Sequence, residues 1–247
     1  MTNLKFTDLG LKETLVKAID DLGFITPSPI QAEAIPVALE GIDIIGQAQT
    51  GTGKTAAFGL PLINNLTVKN AIGSIILAPT RELAIQVHDE LVKLTKYEKL
   101  NIVAVYGGSP IHIQARDLKK ANIVVGTPGR VLDHIRRGNL PLSCVEFLVL
   151  DEADEMLNMG FIDDMEEIMK SIPEERQTML FSATMPPQIK KLSKKYLKED
   201  AKHVAIARKE LTGSTITQNY FEVNGSQRLE ALCRLIDLDN PSAGIIF

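Results

Sequence analysis

The sequence predicts an α/β fold built on a doubly wound parallel sheet, and three observations support it. Short runs rich in Val, Ile and Leu recur along the chain, helical stretches separate them, and the unusual glycine-rich and acidic segments directly follow the apolar runs. Unbroken apolar strands are typical of a sheet buried on both faces, with helices as the covering layers. Such a sheet places its ligand site at the carboxyl ends of the strands.

The strands and one clear helix can be predicted in chain order. Strands are expected at residues 43–46, 74–78, 101–106, 122–126, 147–150, 178–182 and 203–207. After the second strand, residues 81–94 carry apolar side chains on one side of a 3.6-residue period, at Leu83, Ala84, Val87, Leu91 and Leu94. This segment is therefore predicted to be an amphipathic helix.

Composition and a polar stretch near the end of the chain predict the domain organisation. The chain has 247 residues, of which 45% are hydrophobic and 23% charged, as is ordinary for a soluble globular protein. A polar stretch at 209–215 predicts a linker after a first domain of residues 1–208. The segment 216–247 reads as strand ("TQNYFEV"), helix ("SQRLEALCRLIDL") and strand ("AGIIF"). It is predicted to be the truncated beginning of a second domain.

The cysteines, the net charge and the lengths of the apolar runs limit which cellular compartment and which binding partners are expected. Cys144 and Cys233 lie in apolar sequence without a metal-ligand pattern, so we expect buried, reduced thiols. The N-terminus has no signal pattern, and no apolar run approaches the roughly 20 residues of a membrane helix. A cytoplasmic protein without membrane contact is expected. The net charge of −4 argues against wholesale coating by nucleic acid but allows a local basic surface.

The segment "AQTGTGKT" at 48–55 stands between an apolar run and a helical one. In a phosphate-binding loop, Gly51 and Gly53 would let the backbone amides face a phosphate, Lys54 would reach the β and γ oxygens, and the Thr55 hydroxyl would bind Mg²⁺. Thr50 and Thr52 complete the predicted nucleotide-binding loop. Ala48 occupies a position where the pattern has glycine; because the tight turn falls on 51–53, this change should cost little. A plain glycine turn with a surface lysine is the alternative.

The segment "FLVLDEAD" supplies the acidic partners that such a loop needs. Asp151 can hold Mg²⁺, usually through water, and Glu152 can orient and deprotonate the water that attacks a γ-phosphate. Taken singly, Asp154 or Glu155 is better explained as a solvated helix cap. Lys54, Asp151 and Glu152 are the predicted catalytic residues, and together the two motifs predict hydrolysis of a nucleoside triphosphate.

With both motifs present, the chain resembles the DEAD-box ATP-dependent RNA helicases of superfamily 2, most closely the bacterial cold-shock type. The resemblance runs from Phe6 to Thr184 and covers the first RecA-like domain. It implies a RecA-like P-loop fold, ATP and Mg²⁺ as cofactors, and RNA as the partner. "GFITPSPIQ" at 23–31 resembles the Q motif, in which Gln31 would bind the adenine edge while Phe6 and Phe24 pack against the base.

Further motifs follow in family order. "PTREL", "GG" and "TPGR" resemble the segments that hold the RNA sugar-phosphate backbone independently of base sequence. Their predicted RNA-binding residues are Pro79, Thr80, Arg81, Gly107, Gly108, Thr127, Gly129 and Arg130. Each segment alone could be a turn or a helix cap. "SAT", with Ser182 and Thr184, resembles the motif that couples hydrolysis to strand separation, and Asp154 is its expected contact.

Two other functions are compatible with a phosphate loop. A P-loop kinase is one, although the sequence shows neither an arginine cluster typical of a lid nor an acceptor site. An ATP-gated RNA clamp without unwinding activity is the other. Protein partners in RNA decay or ribosome assembly are implied by the resemblance only. Because the family's second domain supplies arginines to the ATPase site, the 247 residues alone are expected to bind nucleotide but not to unwind RNA.

Overall fold

The computed structural model describes residues 4–68, 70–206 and 219–246. The chain divides into two compact units, Met1–Ala207 and Arg208–Phe247. The predicted linker at 209–215 lies outside the described residues, and the assignment of 216–247 to a second domain stays a prediction. Among the described residues, no helix combines the length and the apolar character needed to cross a membrane.

The first unit is built on a seven-stranded sheet. Its strands are β1 (Ile44–Gln47), β2 (Ser74–Leu77), β3 (Ile102–Val105), β4 (Ile123–Gly126), β5 (Phe147–Leu150), β6 (Gln177–Ser182) and β7 (Lys202–Ala205). They lie in the order β3-β4-β2-β5-β6-β1-β7, and every neighbouring pair is parallel. The predicted parallel α/β sheet is confirmed, with each strand within two residues of its expected limits.

Helices connect the strands. They are α1 (Glu13–Asp21), α2 (Pro29–Leu39), α3 (Lys54–Asn65), α4 (Arg81–Leu94), α5 (Ile111–Leu118), α6 (Pro128–Arg136), α7 (Ala153–Asn158), α8 (Ile162–Lys170) and α9 (Pro187–Tyr196), after a short 3₁₀ helix at Phe6–Leu9. The predicted amphipathic helix is α4, with Ala84, Val87, Leu91 and Leu94 buried and Leu83 half-buried.

Two apolar cores lie on opposite faces of the sheet, because successive strand residues point to opposite sides. In β5, Val149 belongs to the core shared with α2, α3 and α4, whereas Leu148 and Leu150 belong to the core shared with α6, α8 and α9. In β6, Phe181 packs on Phe58 of α3 at a ring-centroid distance of 5.5 Å. The sheet is thus covered on both faces, as its continuous apolar strands require.

Two predictions are wrong. Both cysteines are exposed: Cys144 lies in the turn before β5, and Cys233 lies in a helix, α10 (Arg228–Asp239), that has no buried residue. The second unit contains the predicted helix but no strand within residues 219–246, where "NYFEV" and "AGII" were predicted to be strands. A strand needs a hydrogen-bonded neighbour, and local apolar character cannot supply one.

Candidate active site

The phosphate loop connects β1 to α3. Gly51 and Gly53 have φ angles of 80° and 89°, in the left-handed region that glycine reaches without steric cost. The tight turn therefore falls where the sequence places it. Ala48 is 4% exposed, and its N–H donates to the Ser182 carbonyl over 3.1 Å. Ala48 extends the β1–β6 ladder instead of entering the turn, which explains why a side chain is accepted there.

Lys54 begins α3, and its side chain is enclosed by the loop. The residue is 5% exposed, and its Nζ lies 3.5 Å from Glu152 Oε1 and 4.0 Å from Asp151 Oδ1. Among the described residues, this buried ammonium has no hydrogen-bond partner. Three donors without acceptors are costly inside a protein. The geometry therefore favours an anionic ligand with oxygen acceptors in the loop.

Asp151 and Glu152 reach the site from the carboxyl end of β5. Asp151 is 6% exposed, and burial raises its pKa to about 6 although Lys54 opposes the change. Glu152 has a φ of 52°, which is rare for a residue with a side chain. Its Oε1 accepts a hydrogen bond of 2.8 Å from the Thr50 hydroxyl. Backbone strain of this kind is concentrated at functional sites.

Asp154, in the first turn of α7, contacts the segment that follows β6. Its Oδ2 accepts hydrogen bonds from the Thr184 N–H over 2.8 Å and from the Thr184 hydroxyl over 2.7 Å. The Asp154 N–H donates to the Ser182 hydroxyl over 3.2 Å. The contact expected between the acidic loop and "SAT" is therefore present. Its role in coupling stays a prediction.

The predicted adenine site lies at the start of α2. Gln31 is 6% exposed; its amide donates to the Gly53 carbonyl over 3.0 Å and accepts from the Ser28 N–H over 2.9 Å. Phe6 is buried and Phe24 is 40% exposed, and both line one surface pocket. Gln31 is thus tied to the phosphate loop, and its contact with a base stays a prediction.

The three predicted RNA loops follow β2, β3 and β4, which are adjacent in the sheet. Thr80 caps α4, where its hydroxyl accepts a hydrogen bond of 3.2 Å from the Leu83 N–H. The exposed Arg81 places its guanidinium 4.9 Å from the Tyr106 ring centroid, beside Gly107 and Gly108.

The third RNA loop leads into α6. Thr127 and Gly129 flank Pro128 at the start of this helix, where Gly129 is exposed and Arg130 half-buried. Pro79, at the end of the β2 loop, is buried. The sheet order therefore brings the three loops to one part of the carboxyl edge.

A family model described as "DEAD/DEAH box helicase" matches residues 28–192, which hold the phosphate loop, the acidic loop and the three further loops. The chain belongs to the DEAD/DEAH box helicase family. It is 52% identical over 244 residues to the DEAD-box ATP-dependent RNA helicase CshA of Bacillus cereus and 53% identical over 245 residues to the ATP-dependent RNA helicase CshA of Listeria monocytogenes. These alignments cover 98% of the chain and 46% and 47% of the two relatives.

A solved structure agrees with the fold of this DEAD-box chain. A crystal structure of a DEAD box protein from the hyperthermophile Methanococcus jannaschii matches with a TM-score of 0.81 and 48% identity, over 94% of this chain and 63% of that one. The chain spans about half the length of the curated relatives that it matches. It corresponds to the N-terminal RecA-like domain of DEAD-box proteins.

The residues of this DEAD-box site fit a magnesium–nucleotide complex. The Lys54 ammonium, which has no hydrogen-bond partner among the described residues, and the glycine turn suit phosphate. Within the described residues, His, Cys, Asp and Glu side chains form no group of three or more that could hold a metal ion. Mg²⁺ is usually bound through one or two carboxylates together with substrate phosphates and water. Asp151 and the Thr55 hydroxyl would hold it in that way.

Sequence reasoning missed a third acidic side chain at this site. Burial raises the pKa of Glu90, and a hydrogen bond from the Thr55 side chain opposes the change. The charge of Glu90 also contributes to the raised pKa of Asp151. Glu90 lies near the end of α4 without a motif around it. Only the packing of α4 on α3, where Leu91 approaches Gly59, brings it to the phosphate loop.

Proposed function

We propose that this DEAD-box chain forms the ATP-binding part of a cytoplasmic ATP-dependent RNA helicase. One observation carries the proposal: a single edge of the sheet holds the phosphate loop, the acidic loop with its Asp154–Thr184 contact, and three loops suited to an RNA backbone. Hydrolysis and RNA binding would then share one rigid support, and packed rigid elements can carry coupling between two sites.

The nucleotide end of this edge would bind ATP with Mg²⁺. Bound ATP supplies the phosphoanhydride bond, and Mg²⁺ supplies positive charge beside it. Lys54 contributes a desolvated ammonium, which acts more strongly than an exposed one because the local dielectric is low. Glu152 is the base positioned to take a proton from water, and Thr50 and Lys54 hold its Oε1 in place. Gln31 would distinguish adenine from guanine through its amide.

The other end of the edge would bind RNA without reading its sequence. Thr80 and Thr127 offer hydroxyls, Gly107 and Gly108 offer exposed amides, and Arg81 offers an exposed charge. Contacts of these kinds go to phosphate and sugar, which are the same for every base. Affinity for single-stranded RNA should therefore vary little with sequence and should fall with salt.

The central test uses the full-length protein. Phosphate release is measured with and without single-stranded RNA, and strand release is measured on a short RNA duplex. A helicase shows RNA-stimulated hydrolysis and ATP-dependent strand release. Stimulation without strand release indicates an RNA clamp, and hydrolysis that RNA does not change contradicts the proposal.

The Glu152→Gln variant tests the assignment of the base. Because the amide cannot accept a proton from water, this full-length variant should keep its affinity for Mg-ATP and lose turnover by at least ~10²-fold. Glu155, an exposed acid in α7, provides the matched control, and Glu155→Gln should hydrolyse ATP at the normal rate. Normal turnover by Glu152→Gln would show that another group is the base.

The Gln31→Ala variant tests adenine recognition. Calorimetry should show weaker binding of ATP and ADP, whereas Gln188→Ala, which alters an exposed glutamine in α9, should bind them normally. Loss of one good hydrogen-bonded contact corresponds to about 10-fold in affinity. If the unaltered chain binds GTP as tightly as ATP, the adenine assignment is wrong.

The 247-residue chain by itself should bind Mg-nucleotide but show negligible RNA-stimulated hydrolysis. Family members complete the ATPase site with arginines from a second domain, and an arginine of this kind contributes ~10³ to 10⁵ in turnover in related phosphate chemistry. The measurement compares phosphate release by the 247-residue chain and by the full-length protein under the same conditions. Equal stimulation of both by RNA would place the catalytic arginine within these residues.

A further inference from the structure

Two of the three RNA loops meet at one buried side chain that no motif contains, Gln114 in α5. It is 6% exposed. Its Nε2 donates to the Tyr106 carbonyl over 3.1 Å, and its Oε1 accepts from Arg130 Nη1 over 2.9 Å and from His134 Nε2 over 3.0 Å. Because a carbonyl oxygen can only accept, the bond to Tyr106 fixes which end of the amide faces Arg130.

Two of the three partners of Gln114, Tyr106 and Arg130, directly adjoin a predicted RNA loop. Tyr106 directly precedes the Gly107–Gly108 loop and lies under the guanidinium of Arg81, from the β2 loop. Arg130 lies in the first turn of α6, directly after the β4 loop, and uses the same Nη1 to donate to the Ser109 carbonyl over 2.9 Å. The Gln114 amide therefore links the β3 and β4 loops directly, and the Tyr106 ring links it in turn to Arg81 beside the β2 loop.

His134 completes the arrangement from one turn further along α6. It is fully buried. Burial is the largest cause that lowers its pKa, and the charges of Arg130 and Arg137 lower it further, whereas the charge of Asp133 opposes the change. Its Nε2 must carry the proton, because Gln114 Oε1 is an acceptor. Its Nδ1 is then the acceptor, and Asn139 Nδ2 lies 3.4 Å away. The neutral imidazole thus holds the Gln114 oxygen on the side of Arg130.

We propose that Gln114, held by His134, is a positioning residue for RNA: it fixes the Arg130 guanidinium and the Tyr106 carbonyl so that the three loops present one continuous surface to the backbone. The inference rests on the proposed RNA binding. Arg130 has five N–H donors, and the two of Nη1 are directed inward. The Nε and Nη2 donors would then be available to phosphate.

The test measures binding of a fluorescein-labelled single-stranded oligoribonucleotide to the full-length protein by anisotropy, with a non-hydrolysable ATP analogue present. Gln114→Met keeps the side-chain length but removes both polar groups, and it should weaken binding about 10-fold, as expected for loss of a hydrogen bond to a charged group. Gln188→Met, the same change at an exposed position, should bind normally. Affinity for Mg-nucleotide should be unchanged in both variants.

A double-mutant cycle shows whether Gln114 acts through Arg130. Arg130→Met should weaken RNA binding, and adding Gln114→Met to it should cause less than about a further twofold loss, because coupled residues are not additive. Both single variants should also lower the slope of log affinity against log salt by up to about one, as loss of a phosphate contact does. If the double variant loses RNA affinity by the full product of the two single losses, Gln114 does not act through Arg130 and the proposal is wrong.

Gln114→Glu separates positioning from space filling. The carboxylate loses the hydrogen bond to the Tyr106 carbonyl but still accepts from Arg130 and His134, so this variant should bind RNA less tightly than the unaltered protein and more tightly than Gln114→Met. If Gln114 only filled space, the buried charge would make Glu the worse replacement. Glu binding no better than Met contradicts the proposal, as does normal binding by Gln114→Met. If the unaltered protein does not bind the oligoribonucleotide, the proposed function is wrong. If the unaltered protein binds it and Gln114→Met binds it equally well, only the positioning role is wrong.

Discussion

Replacing Asp151 by Asn should change how the stability of the nucleotide-free chain depends on pH. Asp151 is 6% exposed at the end of β5, and burial raises its pKa to about 6 from an ordinary value of 3.8. Lys54 opposes the rise, whereas the charge of Glu152 adds to it. The folded state therefore holds the Asp151 proton more tightly than the unfolded state does.

The magnitude follows from this difference in pKa. A group with a raised folded pKa contributes stability that is fully present below its unfolded pKa and is lost as the pH rises through its folded pKa. Here the loss runs from about pH 4 to about pH 6, and about two pKa units correspond to about 3 kcal/mol. Asn cannot titrate. The free energy of unfolding of Asp151→Asn minus that of the unaltered chain should therefore increase by about 3 kcal/mol between about pH 4 and about pH 7.

Urea unfolding at several pH values across this range measures this difference, and constant effects of the substitution cancel in its pH dependence. Asp154→Asn is the matched control with the opposite sign. Burial acts to raise the pKa of Asp154, but hydrogen bonds from Thr184 and Ser182 outweigh it and lower the pKa. The stability from Asp154 is present above its unfolded pKa and is lost as the pH falls. A pH-independent difference for Asp151→Asn would refute the reasoning.

Two further predictions concern backbone geometry and a buried histidine. Gly53→Ala should destabilise the chain by more than Gly51→Ala. Both positions have positive φ, which costs a residue with a side chain about 1–2 kcal/mol, but only at Gly53 would the new Cβ lie 2.4 Å from Gln31 Nε2. Urea unfolding compares the stabilities of the two variants. His134→Gln should reduce the loss of stability below about pH 6.5, because a lowered folded pKa gives stability that is present above the unfolded pKa and lost as pH falls; exposed His112→Gln is the control, and an unchanged pH profile for His134→Gln contradicts the expectation.

The parts of the fold that sequence reasoning predicts are those set by local chemistry. Strands β4 and β5 are continuous apolar runs buried along their length, as burial on both faces requires, whereas the edge strand β7 buries only Val204. The phosphate loop is also local, because the turn depends on two glycines that can adopt positive φ. In both cases the residues that determine the structure are close together in the sequence.

The parts that sequence reasoning missed depend on packing between distant elements. Gln114 and Arg130 are 16 residues apart and meet only because β3 and β4 are adjacent in the sheet. Glu90 reaches Thr55 because Gly59 lets α4 approach α3 closely. Neither Gln114 nor Glu90 lies in a local motif that would have marked it. The exposed Cys144 shows the reverse error, in which apolar neighbours suggested burial but the turn directs the thiol outward.

The electrostatics of the site are consistent with an unsatisfied resting state. Lys54 is buried without a hydrogen-bond partner among the described residues, and Asp151 is buried with a raised pKa. Both penalties exist only in the folded chain. A ligand that brings acceptor oxygens to Lys54 and positive charge to Asp151 would remove both at once, and Mg-nucleotide has this combination. Mg-nucleotide should therefore stabilise the fold more than metal-free nucleotide does. Thermal unfolding with ATP, in the presence of either Mg²⁺ or a chelator, measures the difference. Equal stabilisation under the two conditions would show that Asp151 does not sense the metal.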